Sequence, residues 1–228
     1  MLALWRTSIG KKMVMAITGA ILAGFVLVHM LGNLKLYQGR DKMNAYGEFL
    51  REVGMPLFPR TGLLWIARGI LLGAATLHIV AAAQLTMRSL SARPDAYSLK
   101  GSIAQGYAAR TMRWSGPIIG LFAIYHVLHF TFGKVGFGGV EFVEGDVYGN
   151  VVKGFSLWYV SALYIAAMAA LGFHLRHGVW SLFQTLGINS RQSDRRLRRL
   201  ASVFAGVVVA GNISFPIAVL IGLIRLEK

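Results

Sequence analysis

Long apolar runs separated by short polar segments dominate the 228-residue chain. Runs close to or above 18 residues, the length that an α-helix needs to cross the hydrocarbon core of a bilayer, recur five times. They are Met13–Leu34, Leu63–Met87, Trp114–Phe132, Phe155–His177 and Ala201–Ile224. We therefore predict an all-α integral membrane protein, a bundle of five transmembrane helices forming one membrane domain over residues 1–228.

The segments between these runs are predicted to be connections. They are Lys35–Gly62, Arg88–Arg113 and the glycine-rich, mobile Gly133–Gly154. The first apolar run is too long for a typical signal-peptide core and carries His29, so we expect it to stay as a helix of the mature protein. A composition of 55% hydrophobic and 14% charged residues is too apolar for a soluble domain of this size.

The formal net charge of +15 comes from basic residues that flank the apolar runs. Three segments are strongly basic: the one before the first run, the one between the second and third, and the one between the fourth and fifth. The other two connections mix signs. Excess Lys and Arg marks cytoplasmic loops, so the amino terminus is predicted inside and the carboxyl terminus outside. Such positions suit anionic lipid or an acidic cytoplasmic partner rather than nucleic acid.

All six histidines lie inside the apolar runs or at their edges. Four consecutive runs each contribute one candidate: His29, His78, His126 or His129, and His174 or His177. Imidazole is costly to bury in hydrocarbon, so histidines in membrane helices are functional candidates. Four of them on four helices indicate two metal centres with two axial ligands each, and haem is the leading cofactor. Thr76 and Ser115 are nearby candidates to hold the second ring nitrogens.

The absence of cysteine and of acidic residues inside the apolar runs restricts the possible cofactors and functions. The chain has no cysteine, which excludes disulfides, cysteine-ligated iron–sulfur clusters and covalent c-type haem attachment on this chain. The apolar runs contain no acidic residue in their interior, which argues against a proton-coupled transporter.

Topology converts sequence position into depth in the membrane. The first and third helices run outward, which puts His29 and His126/His129 in the outer half. The second and fourth run inward, which puts His78 and His174/His177 toward the cytoplasm. The two levels should differ by roughly 10–15 Å along the membrane normal. Depth therefore pairs His29 with the third helix and His78 with the fourth.

Several motifs resemble the five-helix, dihaem cytochrome b membrane anchors of succinate dehydrogenases and fumarate reductases. The resemblance covers nearly the whole chain, with each piece on the expected helix in the expected order. The pieces are Ser8-Ile-Gly-Lys-Lys, Val28-His-Met-Leu-Gly-Asn-Leu, Leu77-His78, Arg113-Trp-Ser-Gly, Tyr125-His-Val-Leu-His129 and Phe173-His-Leu-Arg-His-Gly-Val-Trp-Ser181.

This resemblance implies roles for the histidines. His29 and His126 would ligate the outer, distal haem b, and His78 and His174 the inner, proximal one. His129 and His177, one turn further along, become candidates for contacts to haem propionates or quinone. Glu48 and Glu52, in the outer segment after the first helix, are the candidates for a quinone site.

The resemblance also implies the partners. A flavoprotein subunit and an iron–sulfur subunit would carry the dicarboxylate chemistry of a succinate:quinone oxidoreductase. This chain would have no catalytic residue of its own and would pass electrons to membrane quinone, typically menaquinone. It would lie in a bacterial-type cytoplasmic membrane, where the heterotrimer could form a higher oligomer. Two alternatives stay open: the cytochrome b of another quinone-linked dehydrogenase, and a haemless anchor or transporter.

Overall fold

The computed structural model describes residues 5–92 and 103–226, with the side chains of 103–110 excepted. Within these ranges the chain forms seven α-helices, one 3-10 turn at Leu34–Gln38 and no strand. The helices are α1 Ser8–Asn33, α2 Arg40–Glu52, α3 Gly62–Ser91, α4 Ile103–Phe130, α5 Val147–Ser156, α6 Trp158–Thr185 and α7 Asp194–Leu220. The basic residues Arg93 and Lys100 lie outside the described residues.

Four of the described helices are long and apolar enough to cross a membrane, judged by length and composition: α1 with its following turn, α3, α6 and α7. Helix α4 has the same length as α6, 28 residues, but is not among them. It carries Arg113, His126 and His129, whose polar side chains lower its mean hydropathy.

The helices extend beyond most of the predicted apolar runs, because polar residues at their ends still form helical turns. Helix α1 begins at Ser8, where the Thr7 hydroxyl accepts a hydrogen bond from the Gly10 N–H at 2.9 Å and caps the first turn. The run predicted as one helix from Phe155 to His177 is instead two helices. The backbone becomes extended at Leu157, so Phe155 ends α5 and the membrane helix starts at Trp158.

Two predicted connections contain helices that the apolar pattern does not reveal. Helix α2 lies in the segment after the first run, and α5 lies in the segment predicted to be a mobile, glycine-rich loop. Most of α5 is buried, including Tyr148, Asn150 and Phe155. The prediction for Gly133–Gly154 is therefore wrong at its carboxyl end, because burial stabilises a helix that contains two glycines.

The two ends of the bundle differ in charge. The start of α1, the ends of α3 and α6 and the start of α7 lie together at what we call the basic end, where Arg88 donates hydrogen bonds to the Arg6 carbonyl and the Ser8 hydroxyl. At the opposite end, the capped end, α2 and α5 cover the ends of α4 and α7. There the Tyr148 hydroxyl donates to the Arg225 carbonyl at 3.0 Å.

Helices α1, α3, α4 and α6 surround the centre of the bundle. Helix α1 packs against α3 and α6, and α4 packs against α6. The diagonal pairs α1–α4 and α3–α6 are not among the closely packed helix pairs of the described residues. Helix α7 lies outside this group, against α6, where Val208 and Ala205 are buried against Leu171 and Leu175. The fold thus leaves two diagonals that only long side chains can bridge.

Asp146 joins the two short helices of the capped end. Its carboxylate accepts hydrogen bonds from the Arg40 guanidinium at 2.6 and 3.0 Å, from Asn44 at 3.0 Å and from the Gly149 N–H at 3.1 Å. The hydrogen bond from Gly149 caps α5. The side-chain amide oxygen of Asn44 accepts a further hydrogen bond from the Tyr148 N–H at 3.0 Å. One buried carboxylate therefore fixes both α2 and α5 over the bundle.

We expect Asp146→Ala to lower the free energy of unfolding by about 1–2 kcal/mol, because a helix cap and a charge-assisted pair are lost together. Burial raises the pKa of Asp146, but the hydrogen bonds from Arg40, Asn44 and Gly149 outweigh it and hold the pKa below 3.8. The stabilisation is thus present above the unfolded-state pKa and is lost as the pH falls through the lower folded-state value. Thermal denaturation between pH 7 and pH 3 measures both effects.

Glu144→Ala is the matched control, because this exposed carboxylate of the same loop makes no ion pair in the described part of the chain. Equal melting temperatures for the Asp146 and Glu144 variants, at every pH, would contradict this account of the capped end.

Candidate functional site

Two histidine pairs bridge the two diagonals. His29 on α1 and His126 on α4 meet near the capped end, with ring centroids 5.8 Å apart. His78 on α3 and His174 on α6 meet nearer the basic end, with centroids 6.3 Å apart. We call these the outer pair and the inner pair. All four rings are half-buried, and each pair joins the two helices that depth alone had paired.

The Nδ1 atoms of the inner pair are held by groups of neighbouring helices. His78 Nδ1 lies 3.1 Å from the Met15 carbonyl oxygen and 3.2 Å from the Thr18 hydroxyl. A carbonyl only accepts, so Nδ1 carries the proton and Nε2 keeps its lone pair. His174 Nδ1 lies 3.2 Å from the Ser115 hydroxyl of α4. His78 Nε2 is thereby available to a metal, as in metal-ligating imidazoles generally, while the Ser115 hydroxyl orients the His174 ring through Nδ1.

The outer pair lies among aromatic rings. His126 Nδ1 lies 3.2 Å from the Tyr164 hydroxyl of α6. Phe122 and Phe130 flank the same imidazole, with centroids 6.0 and 5.9 Å away. His29 stacks on Phe25 of its own helix at 5.4 Å. Aromatic rings therefore surround the outer pair, and a hydroxyl that can either donate or accept contacts His126 Nδ1.

Glycine at position 19 lets α3 approach α1 closely enough for the inner pair to form. A Cβ at Gly19 would lie 3.2 Å from His78 Cε1, closer than most side chains tolerate. The glycine pairs Gly69/Gly73 and Gly116/Gly120 behave differently, because a Cβ at any of them would meet nothing within 4 Å. Close helix packing is therefore the role of Gly19 and not of those two pairs.

Two nitrogens per site restrict the kind of metal centre that fits. Structural zinc takes four protein ligands, and no group of three or more His, Cys, Asp or Glu side chains suited to a metal occurs in the described ranges. Haem iron takes four ligands from its porphyrin and needs only two axial groups. With metal–nitrogen bonds of about 2 Å, two imidazoles on one iron have centroids about 6 Å apart. Both pairs fit this spacing.

The two pairs lie at clearly different levels. Along α4, Ser115, which holds the inner pair, and His126 of the outer pair are separated by 11 residues; along α6, Tyr164 and His174 are separated by 10. A rise of 1.5 Å per residue then gives a separation of about 15 Å along the bundle. The arrangement thus has one histidine pair toward each end of the bundle.

The sequence matches the family model of the succinate dehydrogenase/fumarate reductase transmembrane subunit over residues 88–213, more than half of the chain. The chain belongs to this family. The match covers α6 and the described part of α4, with the ligand candidates His126 and His174, while His29 and His78 lie before it. Comparison with curated proteins and with solved structures returned no match.

As a member of the succinate dehydrogenase/fumarate reductase transmembrane family, the chain is a multi-pass membrane subunit of an enzyme complex. Its helical fold agrees with that role, because the described residues contain only helices and their connections.

The His129 side chain is neither exposed at the surface nor part of either histidine pair. Its side chain is fully buried, stacks on Phe130 at 3.8 Å, and has Nδ1 2.9 Å from the Tyr164 hydroxyl. Nε2 is buried without a hydrogen bond, and the nearest space on that side is taken by Gly136 and Gly154. His129 is thus enclosed by neighbouring side chains, and its contact with a haem propionate or quinone stays a prediction.

His177 lies at the basic end, half-buried and 5.7 Å from the Trp180 ring. The Trp180 N–H donates to Asp194 at 3.0 Å, and the Arg198 guanidinium lies 3.8 Å from the Trp180 ring centroid. This cluster joins the end of α6 to the start of α7. His177 is thus next to a structural contact and is not paired with another histidine.

Glu48 and Glu52 lie on α2 at the capped end, and only one of them is free of ion pairs. Glu48 accepts hydrogen bonds from Arg60 and from Arg51, the latter at 3.3 Å. The hydrogen bond from Arg60 is the main reason why the pKa of Glu48 lies below its ordinary value. Glu52 is exposed and has no ion pair among the residues described. A carboxylate with a lowered pKa is a weak proton acceptor, which favours Glu52 over Glu48 for that role.

Sequence reasoning found Ser115 as a possible partner but missed the other groups that orient the rings. Thr18 and Tyr164 lie 60 and 38 positions away from the histidines they contact. Thr76, the other candidate, donates to the Leu72 carbonyl of its own helix instead. A hydroxyl inside an apolar run is the one signal that Thr18, Ser115 and Tyr164 share.

Proposed function

We propose that the chain is the dihaem cytochrome b anchor of a succinate:quinone oxidoreductase, with two haem b groups. His29 and His126 would be the axial ligands of the outer haem, and His78 and His174 those of the inner one. The single observation that supports this function is the meeting of four histidines in two pairs, one on each diagonal, with centroid spacings of 5.8 and 6.3 Å. Each haem, once bound, supplies a one-electron Fe(III)/Fe(II) couple.

Side chains and one backbone carbonyl of the chain orient the histidines that would hold the two haems. Met15, Thr18 and Ser115 orient the inner imidazoles through Nδ1, so neither ring can turn away without losing a hydrogen bond. With His29 and His126, or His78 and His174, as its two protein ligands, each haem would have no position left for oxygen, which would suit it to electron transfer. The aromatic rings around the outer pair keep water away from it.

Five crossings are supported by the course of the chain. Helix α3 ends at the basic end and α6 begins at the capped end, so the chain crosses between them. Helix α4 makes this crossing, because Ser115 in its first half contacts the inner pair and His129 near its end is covered by α5. The basic end then faces the cytoplasm of a bacterial-type membrane, with the amino terminus inside and the carboxyl terminus outside.

The basic end would dock the soluble subunits. Exposed arginines cluster there without an ion pair among the described residues: Arg176, Arg191, Arg195, Arg196 and Arg199. An acidic surface of an iron–sulfur subunit, itself bound to the flavoprotein, would neutralise them, while anionic lipid headgroups would occupy the remaining edge. Succinate or fumarate chemistry then stays on the partners, and the chain passes electrons between the iron–sulfur subunit, the inner level and the outer level.

The quinone would exchange electrons at the capped end, beside the outer pair. We assign Glu52 the proton exchange there, because Glu48 is held by two arginines. With menaquinone as acceptor, succinate oxidation runs uphill and needs the membrane potential. Moving one charge fully across the bilayer changes the free energy by about 2.3 kcal/mol per 100 mV, and two levels separated across the membrane make that coupling possible.

A reduced-minus-oxidised optical spectrum of the purified complex tests this function. We expect a b-type spectrum with two haems per copy of this chain, quantified by the pyridine haemochrome method, and co-purification of a flavoprotein and an iron–sulfur protein. A colourless complex would overturn the proposal in favour of a haemless anchor. Haem with a different soluble partner would instead assign the chain to another quinone-linked dehydrogenase.

A further inference from the structure

The Tyr164 hydroxyl stands between two histidines. Its oxygen lies 3.2 Å from His126 Nδ1 and 2.9 Å from His129 Nδ1. Tyr164 is almost fully buried, with Phe122 and Phe155 packed edge-on at 4.9 Å. The phenol has one proton, so it can donate to only one imidazole and must accept from the other. The three groups therefore form a chain with two possible directions.

The two directions differ in what they leave at His126 Nε2. If Tyr164 accepts from His126, the proton of that imidazole is on Nδ1 and Nε2 has a free lone pair. If Tyr164 donates to His126, the proton is on Nε2 and the ring cannot bind a metal. Only the first direction is compatible with ligation, and it requires His129 Nδ1 to accept from Tyr164.

The surroundings of His129 favour that first direction. When Nδ1 accepts, the proton of His129 is on Nε2, which is buried against the Gly136 backbone. The Gly136 carbonyl faces the ring on that side without completing a hydrogen bond to Nε2. The opposite tautomer would direct a bare nitrogen lone pair at this carbonyl, in a place that water cannot reach. The ring also stacks on Phe130, with centroids 3.8 Å apart.

We propose that His129 and Tyr164 are positioning residues that set the tautomer of His126 and hold its Nε2 ready for the outer haem. The inference rests on the proposed function, and it assigns a role to a buried histidine that is itself no ligand. The inner pair uses a different device, since a backbone carbonyl fixes the tautomer of His78 directly. At the outer level, the side chains of Tyr164 and His129, which we call the relay, take the place of that carbonyl.

A double-mutant cycle tests the relay in the intact complex. In His129→Phe the Tyr164 proton has no acceptor other than His126 Nδ1, so the wrong tautomer is stabilised. We expect outer-haem retention to fall roughly 10-fold or more, as for other groups that orient metal ligands. In Tyr164→Phe/His129→Phe that competition is gone, and most of the outer haem should return. Equal losses in the single and double variants would overturn the relay.

Tyr164→Phe alone gives a second, spectroscopic readout. Without an acceptor for its Nδ1 proton, His126 is a weaker electron donor, so the outer haem should become easier to reduce in a potentiometric titration and should change its electron paramagnetic resonance signal. The outer component is identified as the one that His29→Leu removes. An unchanged midpoint potential and an unchanged signal would contradict the proposal.

Three comparisons separate this inference from its premise. Tyr125→Phe removes a neighbouring hydroxyl that has no side-chain hydrogen bond in the described residues, and it should leave both components unchanged. The inner haem reports on folding in every variant. If His129→Phe loses the inner haem as well as the outer one, the potentiometric titration of Tyr164→Phe alone tests the proposal. Absence of haem from the unsubstituted complex would refute the proposed function itself, whereas haem that does not respond to position 164 would refute only the relay.

Discussion

His174→Leu is expected to remove one of two haems per chain and to lower quinone reduction by succinate by about 100-fold or more. Changes to groups that merely orient a metal ligand cost about 10–100-fold in affinity or activity, so loss of a ligand should cost at least as much. Leucine keeps the apolar volume of the side chain, and the fold should survive with the Ser115 hydroxyl unpaired. Haem content and quinone reductase activity are measured on the same preparation.

Two controls make the result specific. His177→Leu removes the histidine one turn further along α6, which contacts Trp180 and not a second histidine, and should keep both haems. Succinate oxidation by a soluble dye should persist in His174→Leu, because the dicarboxylate chemistry lies on the partner subunits. Two haems in His174→Leu would show that the inner pair is an interhelical contact and not a ligand pair.

The membrane helices were predictable because their signal is local. A run long enough to cross hydrocarbon is visible in the sequence without any knowledge of its neighbours. The cost of burying imidazole marks His29 and His78 in the same way. The family match over residues 88–213 confirms the resemblance drawn from the motifs.

The choice between neighbouring histidines could not be made from the pattern of residues. His126 and His129 are three positions apart and lie on similar faces of α4, so periodicity treats them alike. In the structure, the ring of His126 meets His29, while His129 is enclosed by Phe130, Phe137 and the capped end. That difference is produced by α5 and the loop before it, whose fold depends on distant contacts.

Helices α2 and α5 escaped prediction for a related reason. Helix α2 is largely polar and buries only Met43 fully, so its sequence looks like a connection between spans. Helix α5 contains two glycines, and its stability comes from the buried faces of residues such as Tyr148 and Val152. Asp146 fixes both helices through Arg40, a partner 106 positions away that no local pattern indicates.

Gly154→Ala is expected to destabilise the capped end and to release the outer haem at the same time. A Cβ at this position of α5 would lie 2.5 Å from His129 Nε2 and 2.8 Å from Cε1. The imidazole cannot retreat, because it stacks on Phe130 and is held by Tyr164. Overpacking of this kind costs about 1–3 kcal/mol, and the displaced ring would pull on the Tyr164 hydroxyl that orients His126.

Gly206→Ala on α7 gives the matched comparison, since a Cβ there meets nothing within 4 Å. The same substitution should then stabilise by about 0.5–1 kcal/mol, because alanine has the higher helix propensity. Thermal denaturation of the purified complex, followed by haem absorbance, should shift the two variants in opposite directions. A rise in melting temperature for both would mean that α5 can move away from the bundle without cost, and the outer haem would then not depend on the enclosure of His129.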